Sequence, residues 1–185
     1  MSYYYYVAAT LPTVRLGDKV PINEDRFLQF LADTLHAKDY QIILKSRLGR
    51  AEQTGFLFSD RILAWEMELR LRLAKARLTK LKFEPLSALP VTDDREFLQE
   101  KARTAIAMSS PLEAELFLNN LRWSFVEEMG TLHFFDLEWL VAYFFKLQIA
   151  IRQEKFQRDL GVEHFEKTYE AINEIWNRSS SVTTL

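Results

Sequence analysis

No cysteine occurs anywhere in the 185 residues. That excludes a disulfide framework, a thiolate zinc site and a cysteine nucleophile, and it is compatible with a reducing compartment. Glycine and proline are scarce, five of each, so the chain must be built from long elements with few turns, which favours helices. Histidine is nearly as rare: His36, His133 and His164 are the full set. No His-x-x-x-His or Glu-x-x-His spacing joins them. Asp33 shares a helix face with His36, as His133 can with Asp136, but neither pair gains a third ligand. The sequence therefore points to no metal site.

Other absences narrow the function. There is no glycine-rich phosphate loop; Arg47-Leu48-Gly49-Arg50 is a single-glycine turn. The serines fall at helix caps and in the tail rather than in a nucleophile elbow. The carboxylate pairs Glu113/Glu115 and Glu127/Glu128 sit on helices, and the adjacent Glu127 and Glu128 point apart, so they converge on no substrate. Neither a catalytic residue nor a cofactor site is implied. The most apolar stretch, 139–145, is bounded by Glu138 and Lys146 and is too short to span a bilayer. Met1-Ser2-Tyr3-Tyr4 lacks the basic-then-apolar order of a signal peptide. A net charge of −2 offers nucleic acid or anionic lipid no global attraction.

Apolar surface is what the chain has in quantity. Hydrophobic residues make up 48% and aromatics 14%, with fourteen Phe and four Trp. That exceeds what a monomer of this size needs and favours a buried interface.

Capping signals divide the chain. Residues 3–11, Tyr-Tyr-Tyr-Tyr-Val-Ala-Ala-Thr-Leu, fit a strand by their aromatics and a helix by their alanines. A loop from Pro12 to Pro21 precedes Asn23, which caps a helix over 24–35 with two acids in its first turn. A short helix over 39–48 ends at Gly49. Ser59 or Asp60 opens a helix running to about Phe83, broken by Pro85 and Pro90. Asp93 with Glu96 forms a capping box for a helix ending near Met108. Ser110-Pro111-Leu112-Glu113 is a stronger start signal, with serine at the cap and proline at the first helical position; that helix ends at Gly130. Asp136 caps a helix to Gly161, a last helix spans 162–177, and the tail 179–185 is disordered.

Periodicity then gives the architecture. After Asp60, Ile62, Trp65, Leu69, Leu73 and Ala76 form one apolar stripe, and Leu63, Met67, Leu71, Ala74, Leu78 and Leu81 a second. After Ser110, Leu112, Leu116 and Trp123 lie on one side, with Ala114, Leu118, Leu121 and Phe125 on the other. Two stripes place a helix between neighbours. The segment 137–151 is apolar nearly all round and should be the central helix. The expectation is an all-α multi-helix bundle, a single domain over 1–178. A faint echo between 25–29 and 94–99, and between 71–74 and 147–150, suggests two related helical units, 1–84 and 92–178.

The basic run Arg70, Arg72, Lys75, Arg77, Lys80 and Lys82 is distributed around its helix, with Glu66 and Glu68 four residues ahead of Arg70 and Arg72. That order suits intrahelical ion pairs and makes a charge-laced bundle helix, not a nucleic-acid stripe. Lys146 interrupts the most apolar helix and needs a partner if buried, such as a glutamate of the preceding helix.

Taken together, Trp65-Glu66, Leu69-Arg70, Leu73 and Arg77, then Ser110-Pro111-Leu112-Glu113-Ala114-Glu115, Leu121-Arg122-Trp123, and Phe135-Asp136-Leu137-Glu138 with Tyr143, Lys146-Leu147-Gln148 and Arg152, resemble a bacterial family encoded with the subunits of V-type (archaeal-type) ATPases. The opening Tyr4-Tyr5-Tyr6 with Leu11-Pro12 fits it too. That family is similar to the C subunit of the central stalk, the helical component that seats the rotor shaft on the membrane ring. The resemblance implies a non-enzymatic, cytoplasmic protein, peripheral to the membrane through its complex, with the rotor shaft and membrane ring as partners. In that role Arg70, Arg77, Arg122, Lys146 and Arg152 are structural or interface cations, and Trp65 and Trp123 are packing anchors. The chain is shorter than typical central-stalk proteins of this type, which carry three similar helical units. The rival expectations are a generic helical scaffold for another complex and an enzyme using a polar pocket between helices.

Overall fold

The caps and stripes predict helices, and helices are what the chain forms. A computed structural model describes residues 3–50, 53–81 and 96–156. Its elements are α1 (Tyr3–Thr10), α2 (Glu24–Thr34), α3 (Ala37–Lys45), α4 (Leu57–Lys80), α5 (Glu96–Ala107), α6 (Pro111–Gly130) and α7 (Leu137–Glu154), with no strand among the described residues. None of these helices is long and apolar enough to cross a membrane. The expected helix over 162–177 and the tail 179–185 lie outside the described residues, as do Lys82, Pro85, Pro90 and Asp93.

The ambiguous opening is a helix because its tertiary contacts are helical in spacing. Val7 is fully buried, and Tyr4, one turn earlier, gives its hydroxyl to Asp39 Oδ2 at 2.6 Å. Three caps form as expected: Asn23 accepts from Arg26 N, Ser110 from Glu113 N and Asp136 from Trp139 N.

Other boundaries move, each for a local reason. Helix α3 starts at Ala37 and ends at Lys45 rather than spanning 39–48. Asp39 lies in its first turn, and the Ser46 hydroxyl turns back onto Ile42 O and meets Ser59 Oγ at 2.7 Å. Ser59 is therefore buried inside α4 rather than capping it. Asp60 does not cap α4 either: its carboxylate takes Thr54 N at 2.7 Å and Thr54 Oγ1 at 2.8 Å, which draws α4 back to Leu57. Helix α7 stops at Glu154, short of Gly161, where Phe156 N bonds to Gln153 O and tightens the last turn.

Helix α7 is the central element. Ten of its residues are buried, including Phe144, Phe145, Leu147 and Ile149 with no exposure at all, and it packs on α1, α3, α4 and α6. The buried apolar side chains fall into two clusters. One joins α1, α2 and α3 to α7, the start of α4 and the end of α6; Phe27 stacks there on Phe144 and Tyr143. The other, around Trp65, Leu69, Leu98 and Leu118, joins the rest of α4 and α6 to α5. Helices α4 and α6 thus run through both.

One of the two stripes on α4 is a core stripe: Ile62, Trp65, Leu69 and Leu73 are buried. The second is not. Leu63 is buried, but Met67 is 39% and Leu81 65% exposed. Charged residues from between the stripes take the interior instead: Glu66, Glu68 and Arg72 are all buried. They enter because each has an opposite charge within hydrogen-bond distance, without which burial costs several kcal/mol.

Candidate protein-binding surface

Helix α1 carries no charged residue. With Val7 in the core, its opposite side turns Tyr5 and Tyr6 outward, 58% and 59% exposed. The loop between α6 and α7 comes up beside it. Tyr5 lies against Phe135 with ring centroids 4.9 Å apart, and Tyr6 against Phe30 at 6.4 Å. Leu132, Phe134 and Phe135 are also more than half exposed. Tyr5 and Phe135, from two distant stretches of sequence, thus meet in one ridge, with Tyr6 next along α1 and Leu132 and Phe134 exposed in the same loop as Phe135. Phe134 also lines an open groove of about 400 Å³, with Ala8, Leu11, Trp139 and Tyr143 among its other walls.

The loop that carries the ridge is held at several points. His133 packs edge-on against the buried Phe58 ring at 5.2 Å and bonds to Asp136 Oδ2 at 2.7 Å. Thr131 Oγ1 donates to Glu127 O at 2.9 Å. A ridge fixed in this way loses little freedom when something binds it.

An acidic cluster borders the ridge. Tyr4 donates to Asp39, and burial first, then Asp39, Glu138 and Asp136, holds its phenol well above the ordinary range. His133, Asp136 and Glu138 place ligand atoms within 4.8 Å of one another, so Glu138 supplies the third group that spacing alone did not. Asp136 is already engaged: Oδ1 accepts from Trp139 N and Oδ2 faces His133.

No family model matches the chain, and no curated protein or solved structure matches it either.

The residues singled out from the sequence lie mostly elsewhere, in pairs that tie helices together. Trp65 stacks on Phe125 at 4.3 Å with the rings 6° from parallel. Glu66 joins two of the cations: Oε1 accepts from Arg70 Nε at 2.7 Å and Oε2 from Arg122 Nε at 2.8 Å. Glu68 and Arg72 make the second expected intrahelical pair at 2.7 Å, and Arg72 also donates to Gln99 on α5 at 3.1 Å. Lys146 finds the expected glutamate of the preceding helix, Glu127 at 3.0 Å, and its ammonium lies 5.0 Å from the Trp123 ring centroid. Trp123 is half-buried rather than a fully enclosed anchor, and Leu112 on its stripe is 46% exposed. Arg152 reaches Glu115 at 2.7 Å. Arg77 is exposed and makes no ion pair among the described residues.

Sequence reasoning missed Tyr4, Asp39, Glu138 and the exposed ridge. The available signal was a charge-free aromatic helix together with the Phe134-Phe135 doublet in a loop, where aromatics have no core to enter.

Proposed function

We propose that this chain is a non-catalytic structural or assembly component of a V-type rotary ATPase, similar to the C subunit of the central stalk and linking the rotor shaft to the membrane ring. The motif resemblance supplies the complex. The observation that carries a binding role is the ridge of Tyr5, Tyr6, Leu132, Phe134 and Phe135, each 53% to 85% exposed on an all-helical frame. Clustered exposure of large apolar side chains marks a surface that another protein covers. The internal pairing of Arg70, Arg122, Lys146 and Arg152 supports a rigid frame over a polar reaction pocket. On this reading the chain is cytoplasmic, reaches the membrane only through its complex and hydrolyses no nucleotide.

Affinity purification from the native cell tests the partner. Other components of the ATPase should be retained with the tagged chain. Deleting the gene should loosen or uncouple the complex while its catalytic head still hydrolyses ATP. Normal hydrolysis with normal ion pumping in the deletion strain, and no component of the ATPase retained, would refute the assignment and leave a scaffold of another complex in its place.

A further inference from the structure

The ridge and its acidic border occupy one face, and their combination restricts what covers them. We infer that this face docks a cationic amphipathic segment of a partner protein, with apolar side chains over Tyr5 and Phe135 and a lysine or arginine entering the Asp39–Asp136–Glu138 cluster. The inference rests on the reading of the chain as a protein-binding component of a complex and specifies the partner's chemistry.

Three observations support it. The ridge supplies apolar area fixed in place by the Tyr5–Phe135 and Phe58–His133 ring contacts. The carboxylates lie beside it, since Tyr4, next to Tyr5 on α1, is bonded to Asp39 and feels Glu138 and Asp136. Among the described residues no arginine or lysine forms an ion pair with Asp39, Asp136 or Glu138; His133 is the one cationic partner, on Asp136. At Glu66, Glu68, Glu115 and Glu127, by contrast, a guanidinium or ammonium from this chain meets the carboxylate. Among the described residues, Asp39 and Glu138 have no such cation, and a lysine or arginine of a partner would supply one. A second copy of the chain would bring two acidic clusters and no added cation into one symmetric interface, and an anionic bilayer would be repelled.

Site-specific photocrosslinking in the native cell tests this. A benzophenone side chain replaces Phe135 in the full chain, with Thr104 on the exposed side of α5 as the control position. Mass spectrometry then identifies the captured peptide. The expected product is a segment of another protein with apolar residues and a net excess of lysine and arginine, absent from the Thr104 control. Asp39→Asn with Glu138→Gln should cut its yield roughly tenfold, as for the loss of two partly exposed ion pairs. A matching melting temperature for this double variant separates lost docking from lost folding. Capture of a second copy, of lipid or of an acidic segment overturns the inference. So does an unchanged yield in the double variant, or no product above the control. A cationic segment from a protein outside the ATPase keeps this inference and removes the rotary-ATPase assignment. ATPase components retained in the purification without a cationic crosslink do the reverse.

Discussion

Replacing Arg122 with methionine should be among the most damaging single changes in this chain. The Glu66 side chain is 4% and the Arg122 side chain 6% exposed, and their contact at 2.8 Å ties α4 to α6. Methionine fills much of the arginine stem's volume but leaves Glu66 Oε2 buried without its donor. Removing one member of a buried pair costs about 3–5 kcal/mol. Arg70 remains on Oε1 of the same carboxylate, which holds the loss to about 3 kcal/mol at the lower end of that range. For a chain of this size the melting temperature should fall by roughly 6–12 °C. Glu66→Met should cost a similar amount, since it strands the Arg122 guanidinium instead. The double replacement removes both buried charges and should be closer to the wild type than either single change, because apolar substitutes for a buried pair are often neutral. Circular dichroism at 222 nm under heat and in urea would read all four proteins. A loss below about 0.5 kcal/mol for Arg122→Met, the range of ordinary surface changes, or a double variant whose loss equals the sum of the singles, would refute the argument.

Trp123→Ala should cost about 2 kcal/mol, less than the 3–5 kcal/mol of a fully buried ring, because the indole is half-buried under Lys146; urea unfolding would measure it, and no change would put the indole outside the packing. Asp136→Ala removes the cap on Trp139 N and the His133 partner and should cost about 1–2 kcal/mol in the same assay. Gly49 sits at φ +97° with Arg70 Nη1 3.2 Å from where a Cβ would stand, so Gly49→Ala should lower stability by about 1–2 kcal/mol from backbone strain, whereas a neutral result would show that the turn relaxes. Burial raises the Tyr143 pKa from 10.0 to about 12; the unfolded chain then releases its proton first, so the contribution is whole below pH 10 and is lost as pH climbs through 12. Absorbance at 295 nm should show Tyr143 ionising late, and Tyr143→Phe should reduce the alkaline loss of stability.

The helical architecture was legible because it depends on local chemistry. Asn23, Ser110 and Asp136 each cap the helix that follows them, and the continuous apolar run 139–145 marks the central element without reference to any partner. The pairs at (i, i+4) were equally readable, Glu66 with Arg70 and Glu68 with Arg72. Their burial was not, because charge alone looks solvated until the arginine from α6 is seen arriving at the other oxygen of Glu66. The start of α4 misled for a related reason: Ser59 and Asp60 are good caps by type, but the Ser46 hydroxyl just past α3 and the backbone and hydroxyl of Thr54 claim them. The ridge and acidic cluster escaped because Tyr5 and Phe135, or Tyr4 and Asp39, are brought together only by the tertiary fold.

That the ridge is assembled from two distant stretches of sequence ties binding to folding. A fragment carrying only α1, or only the α6–α7 loop, presents half of it, and an unfolded chain presents none. A ligand of this surface therefore selects the native state and stabilises it by mass action, about 2.7 kcal/mol when its free concentration is a hundred times Kd. In the cell, chains without a partner would spend more time open to proteases than chains with one. The abundance of this protein should consequently follow the supply of whatever covers Tyr5 and Phe135, so that surplus copies are cleared without a dedicated regulator.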